Sequence, residues 1–127
     1  MQSLLLVAVG GALGSLVRFK LGAAILHHSA AAQFPYGTFV VNVLGCLAAG
    51  LLAGLGEHFD FLSAGVRLFL FTGFLGGFTT FSAFGVETIA LVERGQWWIA
   101  ASYVLLSVAC GLTALWGALK LGGLGAS

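Results

Sequence analysis

The chain has 127 residues, 60% hydrophobic and 7% charged, with five basic and four acidic side chains and a formal net charge of +1. A soluble domain carries about 25% charged residues to cover its surface, so this composition excludes a water-soluble globule and points to a chain that lives in lipid. The charge balance offers no basic face, which excludes nucleic acid as a partner, and the short length implies one domain, residues 1–127, a single four-helix transmembrane domain.

A helix crosses the hydrocarbon core in about 20 mostly apolar residues, and the charge-free stretches hold four such spans. The first runs from Ser3 to Leu26, with Arg18 and Lys20 in its last third, where long stems reach toward an interface. These two charges follow the apolar run, and Met1-Gln2-Ser3 has no basic start, so the segment reads as a retained span rather than a cleaved signal. A polar connection, His27 to Gln33, leads to the second span, Pro35 to Gly56, where proline suits a first helical turn. The loop Glu57 to Gly65 carries Glu57, His58 and Asp60. The third span, Val66 to Val92, is interrupted near its middle. Glu93-Arg94-Gly95-Gln96 forms the next turn. The fourth span runs from Trp97 to Leu119, with Trp97, Trp98 and Trp116 near its ends, where aromatic belts form. Cys46 and Cys110 fall within spans and read as small packing residues rather than a disulfide. His27, His28 and His58 read as solvated loop residues.

Glycines four apart, Gly10 and Gly14, Gly50 and Gly54, Gly73 and Gly77, let helices approach closely in lipid, where tails offer no hydrophobic contrast. Packing within one bundle is the default reading for all three pairs. Four spans put Arg67 and Lys120 on one side and Arg18, Lys20 and Arg94 on the other, which is almost no positive-inside bias. Either the chain inserts both ways, giving an antiparallel dimer about a two-fold axis in the membrane plane, or one orientation is set by something the charges do not show.

The stretch from Thr72 to Glu87, TGFLGGFTTFSAFGVE, is unlike a lipid-facing helix. Gly76-Gly77 followed by Thr79-Thr80 forms helix poorly, so the span is expected to break there, which lipid tolerates only where the break is buried in protein or lines a wet cavity. Freed carbonyls suit a cation, and freed N–H groups and hydroxyls suit an anion. Phe78, Phe81 and Phe84, three apart, are expected along one side of a helical segment. Such a stripe is ordinarily core, but beside a polar break the positive ring edges can meet a small anion. Thr38 and Asn42 share a face of the second span, as do Tyr103 and Ser107 on the fourth. Each alone fits an interhelical hydrogen bond; together they form a track of neutral donors, and neutral donors let an anion leave quickly. Glu87, the only acid inside a span, is a functional candidate that either pairs with Arg18 or sits at a water-filled mouth. No nucleophile–base pair, phosphate loop or metal-ligand spacing appears, so the chain is not expected to be an enzyme.

Gly10-Gly11-Ala12-Leu13-Gly14 with Arg18, Pro35-Tyr36-Gly37-Thr38 with Asn42, and Gly73-Phe74-Leu75-Gly76-Gly77-Phe78-Thr79-Thr80-Phe81-Ser82-Ala83-Phe84 with Glu87 resemble the small bacterial fluoride channels called Fluc or CrcB. The resemblance covers essentially the whole chain, and the third motif is its most specific part. It implies an antiparallel homodimer in the bacterial inner membrane with two fluoride pores, each using groups from both chains. It implies ring-edge contacts from Phe81 and Phe84, an amide donor in Asn42, hydroxyls from Thr80 and Ser82, further polar groups in Tyr103 and Ser107, and Glu87 near a mouth. It also implies that Gly76 and Thr79 offer backbone carbonyls to one structural sodium ion on the two-fold axis. Ala83 departs from the family, where many relatives carry Ser or Thr, and removes one hydroxyl near the aromatic pair.

Two other readings compete. A small proton-coupled multidrug exporter also has four spans and dual topology, but would need a glutamate in the first span, which this chain lacks. A non-transporting assembly subunit held by the glycine pairs would pass no ion by itself.

Overall fold

The computed structural model describes residues 1–60 and 62–124, and among them every regular element is a helix. In chain order these are α1 (Gln2–His28), α2 (Tyr36–His58), α3 (Ala64–Arg67), a π-helical segment (Leu68–Leu75), α4 (Gly76–Phe78), α5 (Phe81–Glu93) and α6 (Trp97–Leu124). Four stretches are long and apolar enough to cross a membrane: Gln2–His28, Tyr36–His58, Ala64–Glu93 and Trp97–Gly123. The helices outrun the expected spans at several ends. His27 and His28 form the last turn of α1, and His58 ends α2. All three remain exposed, and imidazoles there face the negative ends of the helix dipoles. Pro35 precedes α2 rather than opening it, and its carbonyl accepts from Phe39 N–H at 3.1 Å.

The third span is broken within the expected stretch, at its threonines rather than at its glycines. Gly76 is helical (φ −61°, ψ −38°), whereas Thr79 (φ −83°, ψ 157°) and Thr80 (φ −149°, ψ 113°) are extended. β-Branched residues accept extended backbone readily, so the two threonines form the break. Gly77 serves contact instead: a Cβ there would stand 2.5 Å from the Gly11 carbonyl oxygen. The expected stripe of Phe78, Phe81 and Phe84 is therefore split. Phe78 is buried in α4 and stacks on Phe74, while Phe81 and Phe84 begin α5. The wider π turns upstream have no counterpart in the sequence reading, because Leu68-Phe69-Leu70-Phe71 has the composition of an ordinary apolar helix.

Packing pairs α1 with the π segment and α4, and α6 with α2 and α5. All three glycine pairs lie in these contacts. The missing side chain of Gly14 leaves room for the Phe74 carbonyl, that of Gly10 for the Phe69 carbonyl, and those of Gly50 and Gly54 for the Leu115 and Leu119 carbonyls. Gly73 in turn lies against Gly10. Helices α2 and α6 run in step: Gly50 meets Leu115, Gly54 meets Leu119, and Cys46 Sγ lies against Gly111. One and two turns earlier, the same register puts Asn42 level with Ser107 and Thr38 level with Tyr103. Cys46 and Cys110 are free thiols.

The core near the site is the cluster of Leu91, Ala100 and Tyr103, against which Phe34, Phe39 and Phe84 pack. The turn between α5 and α6 brings these elements together. Gly95 takes φ +78°, a conformation suited to glycine. Gly95 N–H donates to Val92 and Gln96 N–H to Leu91, both at 2.9 Å, a glycine-ended helix terminus that closes the last carbonyls.

Candidate functional site

A broken helix inside a membrane leaves backbone groups without partners, and no water is at hand to replace them. Here side chains from other spans take them. Asn42 on α2 meets Thr80 twice: Thr80 N–H donates to Asn42 Oδ1 at 2.8 Å, and Asn42 Nδ2 donates to the Thr80 carbonyl at 3.0 Å. Arg18 on α1 donates through Nε to the Gly77 carbonyl at 3.1 Å, at the negative end of the first half of the span. The Thr79 hydroxyl turns back to the Leu75 carbonyl at 2.9 Å. Thr80 is also the N-cap of α5, its hydroxyl accepting from Ala83 N–H at 3.1 Å. A Thr80→Val substitution keeps the shape and removes the cap, so it should destabilise the fold by about 1 kcal/mol, read as a lowered unfolding temperature in detergent.

The clamp has a consequence for Gly76. In an unbroken helix its carbonyl would accept from Thr80 N–H, but that N–H is held by Asn42. Gly76 is exposed, and Thr79, three residues on, is extended. Carbonyls released at these positions are ligands of the type a hard monovalent cation takes.

The remaining expected residues gather on the other side of the break. Ser82 Oγ lies 3.4 Å from the Thr80 hydroxyl. The rings of Phe81 and Phe84 are 5.7 Å apart, and Phe84 lies 5.0 Å from the Tyr103 ring. Phe81 is 83% exposed, whereas Tyr103 is fully buried. Ser107 Oγ is buried and has no hydrogen-bond partner.

Glu87 does not pair with Arg18, but both line one cavity. One carboxylate oxygen accepts from the Thr38 hydroxyl at 2.6 Å and the other from the Tyr103 hydroxyl at 2.9 Å. The cavity, of about 620 Å³, is lined by Arg18, Gln33, Thr38, Thr80, Glu87 and Arg94 among others. It lies between α1, the start of α2 and α5, and it carries the polar groups up to the break.

The structure thus joins Thr38, Glu87 and Tyr103 in one group and Asn42, Thr80 and Ser82 in another, with the Phe81–Phe84 pair beside both. Sequence reasoning missed the N-cap role of Thr80, which a threonine just before an apolar helical run could have signalled. It also missed the capping of Gly77 by Arg18, for which the sequence holds no signal.

The sequence profile of the family described as CrcB-like protein, Camphor Resistance (CrcB), matches residues 5–119. Relatives include a fluoride-specific ion channel FluC of Methylobacillus flagellatus, 49% identical over 116 residues that cover 91% of each chain. A protein of the same name from Nitratidesulfovibrio vulgaris is 47% identical, over 91% of this chain and 93% of the relative. Another from Rhizobium meliloti is 44% identical over 95% and 96%. With the motifs, the broken third span and a match across nearly its whole length in agreement, the chain belongs to the CrcB family.

Proposed function

We propose that this chain is a fluoride-selective channel of the bacterial inner membrane, working as an antiparallel homodimer and moving fluoride passively down its gradient. The observation that carries the reading is the Phe81–Phe84 pair at a helix break furnished with neutral donors. Fluoride is small and strongly hydrated, and a pore must replace its water in a narrow track. The positive edges of Phe81 and Phe84, the hydroxyls of Thr80 and Ser82, the second N–H of Asn42 left over from its bond to Thr80, and Ser107 Oγ supply that replacement. Ala83 offers no hydroxyl, so the track at this step relies on its neighbours Thr80 and Ser82. Thr38 and Glu87 line the cavity at the end of the path, with Tyr103 buried beside them.

The dimer is supported by the exposure of Phe81, Ser82, Val86 and Ile89, which cluster on one side of α5 with little covering from their own chain. A hydroxyl among them needs a partner in lipid. The even charge distribution supports insertion in both orientations. Across a two-fold axis, Gly76 and Thr79 carbonyls from both copies would hold one sodium ion, which would serve as a structural crosslink. This chain's own part is to hold those carbonyls free, through the Asn42 clamp.

The test is passive efflux from liposomes containing only this protein, read with fluoride and chloride electrodes, beside a Phe81→Ile variant. Fast fluoride loss without chloride loss is expected, reduced by roughly tenfold or more in the variant, about 1.4 kcal/mol of lost stabilisation. A well-folded protein that passes no fluoride would overturn the reading. Proton-driven export of a hydrophobic cation would favour the multidrug exporter instead.

A further inference from the structure

The hydroxyls of Thr38 and Tyr103 each carry a single proton, and both protons point at Glu87. Neither is then free for an anion on the path. Their arrangement has a different consequence, which runs through the Tyr103 ring. That ring is fully buried. Its edge or face is met by Phe34 at 5.3 Å and 82° and by Phe84 at 5.0 Å and 48°. Its hydroxyl end is tied to Glu87, whose other oxygen is tied to Thr38 on α2. Phe84 in turn touches Phe81 at 5.7 Å, and Phe81 is 83% exposed with little of its own chain to hold it. Within the protomer, the orientation of the aromatic pair is therefore set from the Tyr103 side.

We propose that Glu87 is a positioning residue, which through Tyr103 fixes the Phe84 ring in the orientation that presents its edge to the ion, and that Thr38 fixes Glu87. The inference rests on the channel reading above and deepens it: Thr38, Glu87 and Tyr103 govern selectivity without being ligands. The physical reason is that ring-edge contacts depend on angle. A ring turned face-on presents its negative face to the anion instead of its positive edge. A side chain held off its rotamer by about 30° changes an equilibrium by a factor of roughly 2 to 10. Selectivity between fluoride and chloride is sensitive to such a change because the smaller ion needs the closer approach.

The variants separate position from charge. Glutamine at 87 can accept from one hydroxyl through its carbonyl and donate to the other through its amide, so Glu87→Gln keeps the tie and removes the charge. Glu87→Ala removes both. Tyr103→Phe keeps the ring and removes the tie. Each would be measured in two ways. One is the fluoride-to-chloride efflux ratio in liposomes. The other is the ¹⁹F spectrum of protein carrying meta-fluorophenylalanine at position 84, which reports ring orientation whether or not the protein conducts.

The expected result is one sharp ¹⁹F resonance in the parent protein and in Glu87→Gln, and a broadened or divided resonance in Glu87→Ala and Tyr103→Phe. The efflux ratio should fall by a factor of roughly 2 to 10 in the latter pair and be largely restored by glutamine. If Glu87→Gln loses selectivity as fully as Glu87→Ala while its resonance stays sharp, the charge acts directly and the positioning role is overturned. An unaltered resonance in Tyr103→Phe overturns it as well. Absence of fluoride flux from the parent protein would instead count against the channel reading, with the ring orientation still decided by the spectra.

Discussion

Asn42→Leu is expected to collapse the break in the third span and abolish conduction, the largest single-residue effect in this protein. Leucine branches at the same atom as asparagine but is bulkier and makes none of its hydrogen bonds. Both Thr80 backbone groups would lose their partners at once. Each buried polar group left unsatisfied costs roughly 1–3 kcal/mol, and the surrounding lipid supplies no substitute. The chain's cheapest response is to let the helix run on through Thr79 and Thr80, which re-forms a Gly76–Thr80 bond and withdraws the carbonyls and hydroxyls that the break presents. Thermal unfolding in detergent, followed by circular dichroism beside fluoride efflux, measures both parts. Native stability together with native flux in the leucine variant would show that the clamp is dispensable. Asn42→Asp is a useful companion: it keeps an acceptor for Thr80 N–H but sets a carboxylate against the Thr80 carbonyl, so it should fail on one bond only.

The second large effect is expected from Gly14→Val. The Cβ of valine would fall on the Phe74 carbonyl, with Phe78 N at 3.0 Å. These are backbone atoms, which cannot swing aside as a side-chain tip can. Overpacking in a well-filled contact costs about 1–3 kcal/mol, occasionally more, and here relief requires α1 to separate from the third span. That separation would also draw Arg18 away from the Gly77 carbonyl, so a packing defect should appear as lost conduction. Gly117→Ala provides the control. A methyl group there meets nothing within 4 Å, and alanine in a helix interior is favoured over glycine by about 0.5–1 kcal/mol. Unfolding temperatures should therefore move in opposite directions for the two glycines. A stable, conducting Gly14→Val protein would show that the α1 contact is looser than the structure has it.

These two cases mark where sequence reading succeeded and where it did not. The glycine pairs were legible because four-residue spacing reports a helix face without reference to anything distant. The broken third span was legible too, since glycines, threonines and a serine at mid-depth conflict with a lipid-facing helix. Which residues within the stretch Gly76-Gly77 to Thr79-Thr80 would extend was not: Gly77 lies helical against Gly11 of α1, and the extended residues are the two threonines, with Thr80 captured by Asn42. The partner of Glu87 was open for the same kind of reason. Arg18 and the cavity mouth were the plausible surroundings for an acid in a span, but Thr38 and Tyr103 are brought to it by the in-step packing of α2 and α6, and Arg18 is drawn away by a carbonyl that exists as an acceptor only because the helix is broken.

By itself, then, the sequence determined that the chain resides in lipid, that it has four spans, that the third is interrupted, and that its polar groups are neutral donors around one acid. Each of these depends on composition and on spacing along one helix, quantities that sum locally. Only the tertiary structure decided which residues form the break, which groups close its free backbone ends, and where the protons of Thr38 and Tyr103 point. Those outcomes are settled by competition among hydrogen-bond partners on different spans, and in lipid, where no water fills a vacancy, the nearest side chain brought by helix packing takes each place.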